Sequence, residues 1–443
     1  MSVSDASASP AAHSPSSDAA ADPASQLAAA SAEYERLAAA GLSLDITRGK
    51  PSAAQLDLSD GLLSCVDGES FRAADGTDTR NYGGAAGLRE LREIFAPLLQ
   101  APVDQLLAQG NSSLTLMKDA LTFALLHGRP DSPAPWAAEA VRTGAPPRFL
   151  CPVPGYDRHF GLAEALGFEL VPVSADAEGP DPEQVAALTA EDPSIKGIWL
   201  VPVHSNPTGV SISPARARTL LALETAAPDF TVMWDNAYAL HHLREPHPEP
   251  VDVLALAAEA GRPDRVLTFA STSKITHAGA GVAFFAASPA MTDWFLTHTG
   301  AGSIGPDKVN QLRHARFFGS SEGVLAHMRR HAALLAPKFA AVDAVFSRVL
   351  GPEDLAAWTN PGGGYFITLA VSPGTASRVV KLAGEAGVKL TPAGATHPYG
   401  LDPDDAIIRI APSMPPLEEV EAAAEVVAAC VRLATLEARA SGV

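Results

Sequence analysis

Residues 230–238 read FTVMWDNAY. A run of apolar and β-favouring residues ends abruptly in Asp, Asn and Tyr with no polar alternation, the pattern of a strand buried on both faces of a parallel sheet. Five similar runs surround it: RFLCPV (148–153), FELVPV (168–173), GIWLVPV (197–203), RVLTFA (265–270) and VAFFAA (282–287). Helix-like stretches separate them, so residues 80–330 are predicted to form a large α/β domain, a mostly parallel sheet sandwiched by helices. Polar residues gather just past several of the strand ends: Gly155 and Tyr156, Ser205 and Asn206, Asp235, and Ser271 to Lys274. Ligands of an open α/β sheet sit beyond the carboxyl ends of its strands, so these four clusters are expected to converge on one site.

Outward from this block, a helical stretch (324–350), a Gly-rich strand candidate NPGGGYFITLAV (360–371), the strand IIRIA (407–411) and a closing helix from Pro416 predict a smaller α+β domain over residues 331–443. On the other side, residues 1–25 hold almost nothing large to bury and are expected to be a disordered tail. A helical pattern follows from Gln26 to Ala40, with Gly41 as its stop, and LDITRGKPSAAQLDLS (44–59) reads as an extended loop. Residues 26–79 are taken as an N-terminal segment joining the small domain.

The chain has 443 residues, 47% of them hydrophobic, enough for two cores. Its 32 Lys and Arg against 50 Asp and Glu, a net charge of −18, provide no basic footprint for nucleic acid or an anionic membrane. Three scattered cysteines suit a reducing compartment. No basic n-region, apolar h-region or long apolar run is present, so a cytoplasmic location is expected. There is no HExxH, GxSxG or GxxxxGK[ST] sequence, which leaves metalloprotease, serine-hydrolase and P-loop readings without support. The histidines of HHLREPH (241–247) lack a zinc spacing, and they are read as loop residues with no metal.

The chemistry starts at Lys274 in STSK, where small residues and hydroxyls around one amine suit a Schiff base with an aldehyde cofactor. A surface lysine in a Ser-rich turn would look the same. Asp235 at a strand end is costly to bury unless a cation faces it, and the protonated ring nitrogen of pyridoxal phosphate is one. Without such a cation, Asp235 is an Asx-turn cap with Tyr238 packed beside it. NPTG (206–209) is in itself only a strong turn signal.

Together, Asn206 in NPTG, Asp235 in DNAY, Lys274 in STSK and Arg409 in IIRIA resemble, in order and spacing, the fold-type I pyridoxal-phosphate aminotransferases. TRGKPSAAQLDLS, GNSSLTLM, PVPGYDRHF and STSKITHAGAG are similar, more narrowly, to the bacterial aspartate aminotransferases of subgroup Ic. The resemblance spans about residues 40–430. It implies a fold-type I architecture and the cofactor pyridoxal 5'-phosphate. It makes Lys274 the Schiff-base lysine and the acid/base at Cα, and Asp235 the partner of the pyridine nitrogen. Asn206 and Tyr238 would bond the phenolic oxygen, and Tyr156 would stack on the ring.

Ser112, Ser113 and the amide of Leu114, at a helix N-terminus, would hold the phosphate with Ser271 and Ser273. Tyr82 would reach the phosphate of a neighbouring subunit, implying a homodimer with shared active sites. Many relatives carry an arginine eight residues after the lysine, but here position 282 is Val. Arg409 would clamp the substrate α-carboxylate, helped by the backbone of Gly49. Arg158 is the candidate for the distal carboxylate of a dicarboxylic substrate, the rival being an ion pair with Asp157 or another nearby carboxylate. The expected activity is reversible amino transfer between L-aspartate and 2-oxoglutarate, with amino acids and 2-oxo acids as small-molecule partners and no nucleic acid or membrane. An aromatic or kynurenine aminotransferase is the alternative. A non-enzymatic ligand-sensing regulator is disfavoured because the N-terminus shows no DNA-binding module.

Overall fold

Residues 22–442 are described by a computed structural model; most of the expected tail over 1–25 therefore lies outside the described residues. The last part of that stretch is helical, because the first helix is Pro23–Ala38 rather than starting at Gln26. Pro23 at its first turn needs no hydrogen-bond donor and has φ preset for a helix. Gly41, at φ 67°, follows the helix end.

The centre of the molecule is an eight-stranded sheet. Its spatial order is Leu106–Ala108, Ala283–Ala286, Val266–Ser271, Thr231–Asp235, Ile195–Leu200, Arg148–Val153, Glu169–Asp176 and Gly179–Pro180. Neighbours from Val266–Ser271 through Glu169–Asp176 run parallel, and antiparallel pairs close both edges. All five residues of Thr231–Asp235 are buried. Val232 and Trp234 enter one apolar layer and Met233 the opposite one, so helices must cover both faces. The strand Leu106–Ala108 carries no signal of its own; it is three residues long and is held by pairing with Ala283–Ala286.

A second core is built on a three-stranded antiparallel sheet, Ala356–Trp358, Ile367–Val371 and Ile407–Ile410. Helices Pro23–Ala38, Ser321–Val349, Ala376–Glu385 and Leu417–Ser441 supply its apolar partners. The 29-residue helix Ser321–Val349 belongs to both cores: Val324 and Met328 pack on the large sheet, and Phe339, Val342 and Val345 on the small one. The strand Leu44–Asp45 pairs in parallel with Val388–Lys389 and so ties the N-terminal segment to the second core. The expected extended loop over 44–59 also holds a short helix, Ala53–Asp57. Its start is fixed by Ser52 and Gln55, which satisfy each other's otherwise unpaired backbone amides as a capping box.

Candidate functional site

The polar strand ends meet at a cleft of about 380 Å³ whose walls come from both sheets and the N-terminal segment. Gly49, Tyr156, Arg158, Asn206, Tyr238, Lys274 and Arg409 all line it, together with Arg48, Lys50 and Asp157. Arg48 and Arg409 stand 361 positions apart in sequence, so only the fold brings these residues together.

Lys274 follows the strand Val266–Ser271, and its Nζ lies 4.9 Å from the centre of the Tyr238 ring. Loss of water around the amine lowers its pKa, and the negative charge of Asp235 offsets part of that shift. The Lys274 carbonyl accepts from His241 Nε2 at 3.3 Å and from the Tyr365 hydroxyl at 3.4 Å. His241 was expected to be a loop histidine; it is 2% exposed and packs against Tyr238 and Tyr365. Burial first, and the charge of Lys274 second, hold its imidazole well below the ordinary pKa, hence neutral.

Asp235 is 2% exposed. Its Oδ2 is 2.9 Å from His159 Nε2, while Oδ1 is buried with no partner among the described residues. His159 lies flat against Trp199, with centroids 4.3 Å apart and planes 11° apart, and Tyr156 meets it edge-on at 4.8 Å. The sequence reading passed over His159, although its place three residues after Tyr156 on helix Asp157–Ala165 puts both on one face. Tyr238 is 3% exposed, and burial raises its phenol well above the ordinary range, with the nearby Tyr156 and Asp235 adding to the shift.

Ser112 caps helix Ser113–His127 by accepting from Thr115 N, which leaves Ser113 and Leu114 in the first turn. Ser271 Oγ donates to Ser273 Oγ at 3.1 Å, and Ser273 Oγ donates to the Asn111 carbonyl at 3.3 Å. Thus the two serine groups share one neighbourhood at a helix N-terminus, a favourable place for an anion. Tyr82 stands apart: it is 81% exposed, in a surface cleft beside Gly305 and Lys308.

Arg409 is 5% exposed and bonds Asp157 Oδ1 at 2.9 Å and Asn206 Oδ1 at 3.4 Å. Arg158 is exposed and has no acidic partner among the described residues. The anticipated rival pairing of Arg158 with Asp157 is therefore not the one formed, because Asp157 turns its carboxylate toward the buried guanidinium. Gly49 is required by close approach: a Cβ there would lie 2.6 Å from Phe366 Cζ. Gly209 has φ 72°, and a Cβ on it would lie 2.4 Å from Pro361 Cβ, which explains the final residue of NPTG.

These residues fit pyridoxal phosphate. The orphaned buried Asp235 Oδ1 calls for a cationic donor, and Lys274 offers an amine without an acidic partner among the described residues. The serine-capped helix end suits a phosphate. Among the described residues no helix is long and apolar enough to cross a membrane, and no group of His, Cys, Asp and Glu could hold a metal ion.

Comparison with known proteins gives a consistent result. The family model described as aspartate amino-transferase matches residues 16–442. An aspartate aminotransferase of Corynebacterium glutamicum is 50% identical over 405 residues, 91% of this chain and 92% of its own length. A Mycolicibacterium smegmatis protein named only as an aminotransferase is 55% identical over 407 residues, covering 91% of this chain and 94% of its own. The crystal structure of an aspartate transaminase from Corynebacterium glutamicum superposes with a TM-score of 0.91 at 49% identity, covering 94% of this chain and 96% of that one.

Proposed function

The chain belongs to the aspartate amino-transferase family, and from that membership we propose how its own residues carry reversible amino transfer between L-aspartate and 2-oxoglutarate, giving oxaloacetate and L-glutamate. It is a transaminase of fold type I, and its cofactor is pyridoxal 5'-phosphate. The observation that carries the assignment of roles is that one cleft gathers an amine, Lys274, from the turn after a large-sheet strand and a buried guanidinium, Arg409, from the small sheet.

When bound, pyridoxal phosphate supplies an aldehyde carbon for amines and a ring that accepts the electron pair left when the Cα proton departs. Lys274 is the residue that takes and returns that proton. Its lowered pKa means that more of the amine is unprotonated near neutrality than for a lysine in water, as a base requires. Asp235 would hold the ring nitrogen in its protonated form, and His159 occupies Oδ2 while Oδ1 stays without a partner among the described residues. Asn206 and Tyr238 would hydrogen-bond the ring's phenolic oxygen, and Tyr156 would stack on the ring; all three line the cleft. Ser112, Ser113, the Leu114 amide, Ser271 and Ser273 hold the phosphate through neutral donors, since Val282 stands where many relatives have an arginine.

Arg409 takes the α-carboxylate and Gly49 lends its backbone. Arg158 takes the distal carboxylate from the rim, where Arg48 and Lys50 are also exposed. Exposed Tyr82 completes the phosphate site of a second copy, which makes the protein a homodimer; exposed Ile304, next to Gly305, supports the same face. The chain divides at about residues 80 and 330 into an N-terminal segment, a large cofactor-binding domain and a C-terminal small domain. Three free cysteines, two of them buried, agree with a cytoplasmic location.

Adding single amino acids to the cofactor-loaded protein without any keto acid tests the substrate. L-Aspartate and L-glutamate are expected to bleach the cofactor's visible band quickly, and phenylalanine, kynurenine and alanine slowly. Fast bleaching by an aromatic amino acid and none by aspartate would overturn the dicarboxylate reading.

A further inference from the structure

The buried guanidinium of Arg409 has one strong partner, and that partner is an acid inside the same cleft. Asp157 Oδ1 accepts from Nη1 at 2.9 Å. The other contacts are longer: Asn206 Oδ1 at 3.4 Å, Thr391 Oγ1 at 3.4 Å and the Thr47 carbonyl at 3.5 Å, while Nε has no acceptor. Asp157 makes no other side-chain hydrogen bond or ion pair among the described residues, and its side chain is 33% exposed against 5% for Arg409. One end of the pair is fixed in the protein, and the other borders on water.

We propose that Asp157 is a stand-in carboxylate: it occupies Arg409 in the empty site and yields to the carboxylate of every substrate, thereby setting how tightly the site binds acids of any kind. This rests on reading Arg409 as the α-carboxylate clamp. A buried guanidinium without a counter-charge is strongly unfavourable, so the empty site needs an anion. A substrate brings a second. Five N–H donors could bond both carboxylates, but one positive charge cannot neutralise two anions at contact distance, and like charges sharing a site oppose each other's ionisation. Of the two, Asp157 has somewhere to go. It is the first residue of helix Asp157–Ala165, where a negative charge is favoured by the helix dipole wherever the side chain turns.

A permanent counter-ion that merely orients Arg409 makes the opposite prediction, because removing its charge would loosen the clamp. The decisive variant is Asp157→Asn, which keeps the shape and removes the charge. Binding of propionate and of succinate to the cofactor-loaded protein would be followed by titration calorimetry. The expected result is tighter binding of both acids, by the same factor of about three to ten, the scale of one partly exposed ion pair. KM for alanine and for aspartate should fall together. Unchanged or weaker binding in Asp157→Asn overturns the proposal, and Asp157→Ser, which removes the hydrogen bond as well, must repeat the gain. A thermal midpoint close to the parent's verifies that each variant is folded. Arg409→Leu separates the two levels of inference. If it still binds propionate like the parent, the clamp reading fails and takes the stand-in with it; if it loses binding while Asp157→Asn gains nothing, the stand-in alone fails.

Discussion

Replacing His159 by Leu removes the one hydrogen-bond donor that the Asp235 carboxylate has among the described residues. The imidazole Nε2 lies 2.9 Å from Oδ2, and the two side chains are 2% and 4% exposed, so water cannot take over the vacant position. Oδ1 already lacks a partner. The variant therefore leaves a buried carboxylate with no donor on either oxygen. A hydrogen bond to a charged group contributes about 1.5–3 kcal/mol, and leaving the charge unsatisfied adds to that, so His159→Leu should cost the unloaded protein about 2–3 kcal/mol. The flat contact with Trp199 is largely preserved by an apolar side chain and adds little. Urea unfolding of the unloaded protein, followed by far-UV circular dichroism at neutral pH, reads the loss as a lower midpoint at unchanged slope. The double variant His159→Leu/Asp235→Leu removes both partners and should lose less than the sum of the single changes, by about 2 kcal/mol of coupling. A single variant within about 0.5 kcal/mol of the parent, the range of ordinary surface changes, would refute the view that His159 holds this carboxylate.

Three further outcomes are expected. Arg158→Ala should raise KM for aspartate roughly tenfold, the value of one charge-assisted carboxylate contact, and leave KM for alanine nearly unchanged; equal losses on both, measured by coupled assay, would end its assignment to the distal carboxylate. Burial holds His327 and His331 at about 4 against an ordinary 6.5. Between those values the unfolded chain binds protons that the folded chain refuses, so stability is present above about 6.5 and falls as pH drops toward 4. Urea midpoints from pH 7.5 down to 4.5 should show this decline, and His327→Phe should flatten it. Lys196 is 3% exposed and pairs with Asp229 at 3.1 Å and Glu139 at 2.5 Å, so Lys196→Met should destabilise the fold by about 3 kcal/mol by leaving buried acids uncompensated. A midpoint equal to the parent's would show that Trp136 and Ser132, which also donate to Asp229, suffice.

The large sheet was legible because each buried strand carries its own signal. RFLCPV matches Arg148–Val153, and FTVMW (230–234) lies one residue early against Thr231–Asp235, taking in Phe230 and stopping before Asp235. Strands held by pairing gave no such signal. Leu106–Ala108 and Leu44–Asp45 are two or three residues long, and their neighbours rather than their composition make them strands. The same distinction explains the segment over 44–59. Gly49 and Pro51 speak for a loop, but the reciprocal bonding of Ser52 and Gln55 starts a helix whose Gln55 is then buried against His331 and Tyr365. That burial depends on residues 276 and 310 positions away, and no local pattern encodes it.

At the site, the residues that could be named in advance are those whose chemistry is unusual for their position: an amine after a strand, an acid ending an apolar run, an arginine inside one. Their supports were not visible, because a support is ordinary until its partner is known. His241 looks like any loop histidine in HHLREPH, yet the carbonyl it bonds belongs to Lys274. Sequence adjacency suggests pairing Asp157 with Arg158, whereas its carboxylate reaches a strand 252 residues later. The reason is energetic. An exposed pair between adjacent residues gains little, while a buried guanidinium gains much from any acid within reach, so the buried charge decides where the acid points. Reading ion pairs from sequence therefore has to start from the charge that must be buried and search outward for its counter-ion, and in this chain that search starts at Arg409.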